Sequence, residues 1–473
     1  MAPLLRIACF VMVTAIMTER HINLVSPLAH KATAMRTTDT TGSSQDRSGA
    51  VSPLIGSGLL GCDVDSEHTT SRPLIMPGTR ISTMATRTTA TPTTSSAPEP
   101  SANRYAAHHA DFSFTELVQA YFDCREHKRN SASALAFEQD LERNLFQLDS
   151  ELRNGSYRPG RSICFVITRP KAREVWAADF RDRIVHHLFY NRISPRFYAS
   201  FIPDSCACIP GRGTLYAAQR LESKVRSITQ NWSRPAYYLK LDLANFFVAI
   251  DKGILRNLIA ARVAEPFWLQ LAESILFHDP RQDFEYRGDV AKMDLVPAHK
   301  RLTNQPVTLG LPIGNLSSQF FANIYLDRLD QFCKHQLRAR HYIRYVDDFI
   351  LLHESPDWLN EAKGRIEQFI GATLAAHINP RKTILQPVDR GIDFVGQVIK
   401  PWHRVTRRRT FKAAIQRVRH IAAGDLLESA NSYFGLFRQA DHSHHDRAQF
   451  ANELRYRGHS IKSDLTKTYR RNA

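Results

Sequence analysis

The 473-residue sequence has no hydrophobic run long enough to cross a bilayer, no paired cysteines and no surplus of acid. Its N-terminal apolar stretch, Ile7 to Val13 behind Arg6, faintly resembles a signal peptide but is too short for a membrane span. The basic composition does not suit export, so this stretch is expected to be non-targeting, with no membrane partner and a cytoplasmic location. The seven cysteines (Cys9, Cys62, Cys124, Cys164, Cys206, Cys208 and Cys333) are odd in number and lack a Cys-x-x-Cys, which argues against a disulfide framework and a structural zinc site. Negative charge is in deficit: 63 Lys and Arg against 46 Asp and Glu leave a net charge of +17, the electrostatic footprint of a polyanion binder, nucleic acid first. Also missing is a glycine-rich βαβ fingerprint, which disfavours a doubly wound sheet. At 43% apolar residues the composition is that of a globular protein, long enough for two or three domains.

From about Lys31 to Ser101 the chain is rich in Thr, Ser, Pro and Ala and is expected to be disordered, because such a segment cannot bury enough apolar surface to offset chain entropy. The start of translation is Met1 or Met84. Order is expected from Asp111. Phe114, Leu117, Val118 and Tyr121 share one helical face. Phe137, Leu141, Leu145, Leu148 and Leu152 predict a second helix stopped by Asn154-Gly155. Strands are predicted at 162–167, 237–243 and near 392–399, and helices at 181–190, after Asp251, and at 361–374. A long helix is predicted from Ser317 or Ser318 as N-cap to about Arg338. Between Lys171 and Arg181 a basic segment leads into a helix.

The densest signal is Tyr345-Val346-Asp347-Asp348, two adjacent carboxylates between two apolar, strand-like runs. On its own such a dipeptide is ordinarily a solvated turn. A third carboxylate, Asp242, ends a strand about a hundred residues earlier. A strand-end aspartate beside an acidic hairpin suits two Mg²⁺ ions, or Mn²⁺, in nucleotidyl transfer, since Mg²⁺ takes carboxylate and phosphate oxygens. The catalytic residues expected are therefore Asp242, Asp347 and Asp348. Lys171 and Arg173, ahead of Arg181 and Arg183, suit triphosphate oxygens. Phe247 suits stacking under a sugar, the Gly310–Gly314 loop suits close approach to a nucleotide, and Lys382 suits the pyrophosphate.

The chain from about Phe112 to Lys467 resembles a bacterial reverse transcriptase. The resemblance is carried by Lys171 to Arg183, Leu239-Lys-Leu-Asp-Leu-Ala-Asn-Phe-Phe247, Gly310 to Gln319, Tyr345 to Asp348, Asn379-Pro-Arg-Lys382 and Asp393-Phe-Val-Gly396. It implies an α+β right-hand polymerase fold with fingers, a palm of antiparallel sheet plus helices, and an α-helical thumb. The implied division is a disordered region at 1–110, N-terminal helices and fingers at 111–235, a palm at 236–400 with an insertion at about 275–308, and a basic helical thumb at 401–473. It also implies RNA-directed DNA polymerase activity on an RNA template with a DNA or RNA primer and dNTPs. Asp242, Asp347, Asp348 and the carbonyl of Leu243 would hold the metals. Lys171, Arg173, Phe247, Gly314, Gln319 and Lys382 would meet the nucleotide. Phe394 and Gly396 would form a primer grip.

Where many relatives read Gln-Gly-x-x-x-Ser-Pro, this chain has Ile313-Gly314-Asn-Leu-Ser-Ser318-Gln319, a form similar to enzymes of diversity-generating retroelements and defence-associated lineages. That form implies a structured non-coding RNA partner, an accessory protein, and looser base selection. The insertion carries Arg281 to Gly288 and His299-Lys-Arg301, and reads equally as a binding element or an inert loop. On the thumb, Arg404, Arg407, Arg408, Arg409, Lys412, Arg417 and Arg419 are expected, with Arg181, to follow primer–template phosphates. An intron maturase, an RNA-binding scaffold and a template-independent polymerase are the competing readings.

Overall fold

The computed structural model describes residues 110–126, 131–168 and 171–470. The apolar run at 7–13, Met84 and the Thr/Ser/Pro-rich stretch expected to be disordered lie outside the described residues. Three helices open the described chain: α1 (Phe114–Glu126), α2 (Ala132–Glu138) and α3 (Leu141–Arg153). The single helix expected across 137–152 is split. Phe137 turns into a ring cluster with Tyr121 and Phe180, and Asn144 Nδ2 donates to the Phe137 carbonyl (2.9 Å), an acceptor that a continuing helix would need.

The next segment forms β1 (Ser162–Ile167), β2 (Arg173–Ala177), α4 (Phe180–Tyr198) and α5 (Thr214–Ile228). β2 is an addition to the sequence reading, which ran a basic segment straight into α4. It pairs antiparallel with β1, from Ile163↔Ala177 to Ile167↔Arg173. Asp179 then caps α4, accepting from the Arg181 N–H at 3.1 Å.

The central region comprises β3 (Tyr237–Asp242), α6 (Phe246–Ala249), α7 (Lys252–Ala260), α8 (Pro266–Leu276), β4 (Phe284–Tyr286), α9 (Leu316–Gln331), β5 (His341–Tyr345) and β6 (Asp348–His353). It continues through α10 (Pro356–Leu374), β7 (Ile384–Pro387), β8 (Ile392–Phe394) and β9 (Gln397–Lys400). Strands β5, β6, β3 and β7 form one antiparallel sheet in that order. Strand alternation sends successive side chains to opposite faces. Leu239, Leu241, Phe349 and Leu351 enter the large core shared with α9 and α10. Tyr238, Ile350 and Leu352 enter a second core with Leu221 and Val225 of α5 and with Phe394 and Ile399. The sheet is thus buried on both faces, and its apolar runs are its anchor.

Helix α9 begins one turn's edge earlier than expected, with Asn315 at the N-cap position. Ser317 is buried against His186 (Oγ to Nδ1 3.3 Å), and Asn315 Oδ1 accepts from the Ala178 N–H (3.0 Å), tying the helix start to the end of β2. The helix ends at Gln331 in a π-turn over Phe332–Gln336. The C-terminal region is not all helical. Strand β10 (His403–Thr406) pairs with β9, followed by α11 (Arg408–His420), α12 (Ala423–Phe437), α13 (His444–Tyr456) and a hairpin of β11 (His459–Ile461) and β12 (Thr468–Arg470). Phe411, Phe434, Phe437 and Phe450 give this region its own core.

Candidate active site

The three aspartates meet through register. Asp242, the last residue of β3, lies directly opposite Asp348, the first of β6, while Asp347 sits in the two-residue turn between β5 and β6. Because β3 alternates, Asp242 shares its face with Lys240 and Tyr238. The turn is demanding: Val346 has φ +56, in the left-handed region that β-branched residues rarely adopt. The fully buried Arg344 holds it there, donating from Nη1 to the Val346 carbonyl at 3.0 Å. Leu243 N–H donates to the Asp347 carbonyl (3.3 Å), and segment 377–379 braces the far side, with Asn379 N–H on the Asp242 carbonyl at 2.7 Å.

Two lysines pair with two of the acids. Lys382 Nζ lies 2.9 and 2.8 Å from the two Asp242 carboxylate oxygens, and Lys240 Nζ lies 3.0 Å from Asp348 Oδ2. Lys240 also donates to the Asp393 carbonyl at 2.9 Å, joining the site to β8. Lys240 escaped the sequence reading, although a lysine two residues before a strand-end aspartate on the same face was the available signal. Burial, then repulsion from Asp242 and Asp348, pushes the Asp347 carboxyl up to about 7. Burial likewise raises Asp348, against the opposing charge of Lys240.

Three carboxylates thus face two lysines. Asp348 Oδ1 is buried and has no hydrogen-bond partner among the described residues. Hard-oxygen donors with an orphaned acceptor fit a divalent cation. Among the described residues, no three His, Cys, Asp or Glu side chains gather as a ready cage. Mg²⁺ does not require one, since it binds through one or two carboxylates and completes its shell with water and substrate phosphates.

Residues 168–399, a span containing all of these groups, match the family described as Reverse transcriptase (RNA-dependent DNA polymerase). The chain carries a reverse transcriptase domain. Its mixed helices and antiparallel sheets have the reverse transcriptase fold. Similar solved structures include the apo telomerase of Candida tropicalis (13% identity, TM-score 0.40, covering 58% of this chain and 52% of that one). A form of it truncated from the C-terminal domain gives 15% identity, TM-score 0.37 and coverage of 51% and 53%. The telomerase of Candida albicans in complex with a TWJ fragment of telomeric RNA gives 12%, 0.37, and 63% and 55%. The chain spans about half the length of these structures. No curated protein matches it.

Around the reverse transcriptase domain's acids, Phe247 is half-buried on the one-turn α6, edge-on to Phe246, and its carbonyl accepts from Leu311 N–H at 2.8 Å. That bond joins the Phe247 turn to the Gly310–Gly314 loop. The close approach that Gly314 permits is to the protein's own β2. At φ +132, a Cβ there would stand 2.8 Å from the Trp176 carbonyl oxygen. Ile313 accepts from the Trp176 N–H at 2.7 Å, so the loop is stitched to the strand that begins at Arg173. Gln319 lies half-buried on the first turn of α9.

Several expected nucleic-acid contacts are otherwise engaged. Phe394 is fully buried against Tyr345, so its ring anchors the β8–β9 turn and cannot touch a primer. Gly396, at φ +87, makes that turn. Arg407 is buried and paired with Asp393, and Arg404 is buried among Glu222, Asp441 and Gln397, so both hold the base of the C-terminal region together. Arg409 approaches Asp393 at 3.8 Å. Arg181 pairs with Glu151 and lies over the Tyr157 ring (5.3 Å), spending its charge within the N-terminal layer. Arg408 and Lys412 remain exposed.

Proposed function

We propose that the protein is an RNA-directed DNA polymerase that extends a DNA or RNA primer with dNTPs, using two Mg²⁺ or Mn²⁺ ions. The observation that carries this reading is the Asp242↔Asp348 register with Asp347 in the adjoining turn. Asp242, Asp347, Asp348 and the Leu243 carbonyl would hold the ions, which when bound lower the pKa of an attacking hydroxyl and offset phosphate charge. The chain's own part is positioning. Lys171, Arg173 and Lys382 bind the triphosphate, Phe247 borders the sugar, and exposed Arg408 and Lys412 follow duplex phosphates. The net charge of +17 supports a nucleic-acid partner. We further propose that the template is a dedicated structured or repeat RNA, as in diversity-generating retroelements or antiphage defence, with an accessory protein, in a bacterial cytoplasm. The Ile313…Gln319 form supports this lineage. Among the described residues, no helix is long and apolar enough to cross a membrane.

The test is primer extension on an RNA template with Mg²⁺, comparing wild type with Asp347→Asn and Asp348→Asn. Each variant keeps side-chain shape and loses a charge, and is expected to fall at least ~100-fold, as for loss of one electrostatic contact to a developing charge. Equal activity in all three proteins would sink the assignment.

A further inference from the structure

One lysine of the site has partners on two different sheets. Lys240 is buried, and lies two residues before Asp242 on the same face of β3. Its register partner on β6 is Ile350, so Asp348 stands on the diagonal, a separation that a lysine side chain spans. Lys240 Nζ lies 3.0 Å from Asp348 Oδ2 and donates to the Asp393 carbonyl at 2.9 Å. Asp393 belongs to β8, and β8, β9 and β10 form a sheet separate from the one that carries the acids. That anchor is itself fastened. The Asp393 carboxylate pairs with buried Arg407, whose N–H donates to the Gly396 carbonyl at 3.1 Å.

The two oxygens of Asp348 are therefore unequal. Oδ2 is taken by Lys240, while Oδ1 is buried and has no hydrogen-bond partner among the described residues. A free carboxylate binds a hard cation through one oxygen or two. An ammonium fixed on Oδ2 removes the second mode and stops the carboxylate from rotating. Lys382 differs, since it covers both oxygens of Asp242 and its side chain is 38% exposed, against 10% for Lys240. A buried ammonium is costly unless paired, and Lys240 is paired at both ends, on a carboxylate and on a backbone carbonyl. It is the fixed member of the two.

We propose that Lys240 is a positioning residue that makes Asp348 a one-oxygen cation ligand, by clamping Oδ2 to the backbone of β8 and leaving Oδ1 to the ion. This rests on the divalent-cation reading above. It sets the geometry of that ligand from the β8–β10 sheet as well as from the strand that bears it.

The experiment measures Mn²⁺ binding to the full chain at pH 8 by electron paramagnetic resonance, without primer or dNTP, and primer extension in parallel. Lys240→Met removes the charge and the donor; Lys240→Gln keeps a polar donor and carries the same comparison if the methionine variant does not fold. In both, Asp348 regains an oxygen and loses a neighbouring positive charge, so Mn²⁺ affinity should rise about 3- to 10-fold. Turnover should nevertheless fall about 10- to 100-fold, the scale of losing the outer partner of a metal ligand. The KM for dNTP should stay within about twofold, because the misplaced ion acts on the chemical step. Lys240→Arg, which keeps the charge, should hold Mn²⁺ affinity close to wild type. In an Asp348→Asn background, Lys240→Met should leave Mn²⁺ affinity unchanged, since the pair acts as a unit. Unchanged or weaker Mn²⁺ binding in the neutral variants would overturn the proposal, as a purely structural lysine predicts. An equal shift in the Asp348→Asn background, or full turnover in Lys240→Met, would do the same. A wild type that binds Mn²⁺ and extends no primer would overturn the polymerase reading alone, because the Mn²⁺ comparison still decides Lys240.

Discussion

Replacing Arg344 by Met tests whether the acidic turn is held by a buried ion-pair network. The guanidinium makes five hydrogen bonds. Two go to Asp330 (2.8 and 2.6 Å), and the others to Val346 O (3.0 Å), Asn323 Oδ1 (3.2 Å) and Ser205 Oγ (2.7 Å). Desolvation opposes its charge, but Asp330 outweighs that and holds the Arg344 pKa above the usual arginine value. Arg344→Met leaves the Asp330 carboxylate buried, with the Tyr342 hydroxyl (2.7 Å) still donating to it. Stranding one partner of a buried pair costs about 3–5 kcal/mol. Val346 is held at φ +56, a conformation that costs a non-glycine residue roughly 1–3 kcal/mol, and it loses the donor that secures it. Urea unfolding should show the stability loss. The double variant Arg344→Met with Asp330→Leu should recover most of it, because an apolar replacement of a buried pair is often neutral or better. Primer extension should remain depressed in both, since neither restores the donor to Val346. A loss below about 1 kcal/mol in the single variant, within the range of a surface pair, would refute the argument. So would a double variant with full activity.

Gly314→Ala should destabilise the protein by about 1–3 kcal/mol, because the added methyl meets the Trp176 carbonyl at 2.8 Å in a backbone conformation that L-residues rarely adopt. Thermal unfolding checks this, and an unchanged midpoint would show that the loop relaxes without cost. The buried His186 supplies a pH test. Burial, with His187, His278 and Arg183 adding to it, lowers its pKa to about 3. The unfolded imidazole takes up its proton near pH 6.5, so His186 favours the fold above that pH and this contribution is lost as pH falls toward 3. Between pH 7.5 and 5 the loss should be about 2 kcal/mol, and His186→Gln should flatten the stability curve by that amount. Parallel curves for the two proteins would contradict the assignment.

Local patterning carried much of the site. The period-2 alternation of β3 and the apolar runs flanking Asp347 were legible, because a strand's two faces are written in adjacent residues. The hairpin and the strand-end position of Asp242 followed from them. β2 was missed because Lys171 to Arg173 masks a short strand whose partner is β1. The break between α2 and α3 was missed because the apolar spacing continues across it, while an Asn144 side-chain bond ends the first helix. Basic residues in the C-terminal region read alike in sequence, yet Arg404 and Arg407 are buried and Arg408 is exposed. Distant acids, Glu222, Asp441 and Asp393, make that difference.

By itself, the sequence determined which three aspartates belong together and the kind of domain that carries them, since both depend on residue type and short spacing. Only the tertiary structure decided which cations attend those acids. Lys240 reaches Asp348 on the neighbouring strand, and Lys382 reaches Asp242 across 140 positions. Electrostatic partnership depends on distance through space, and chain separation does not encode it.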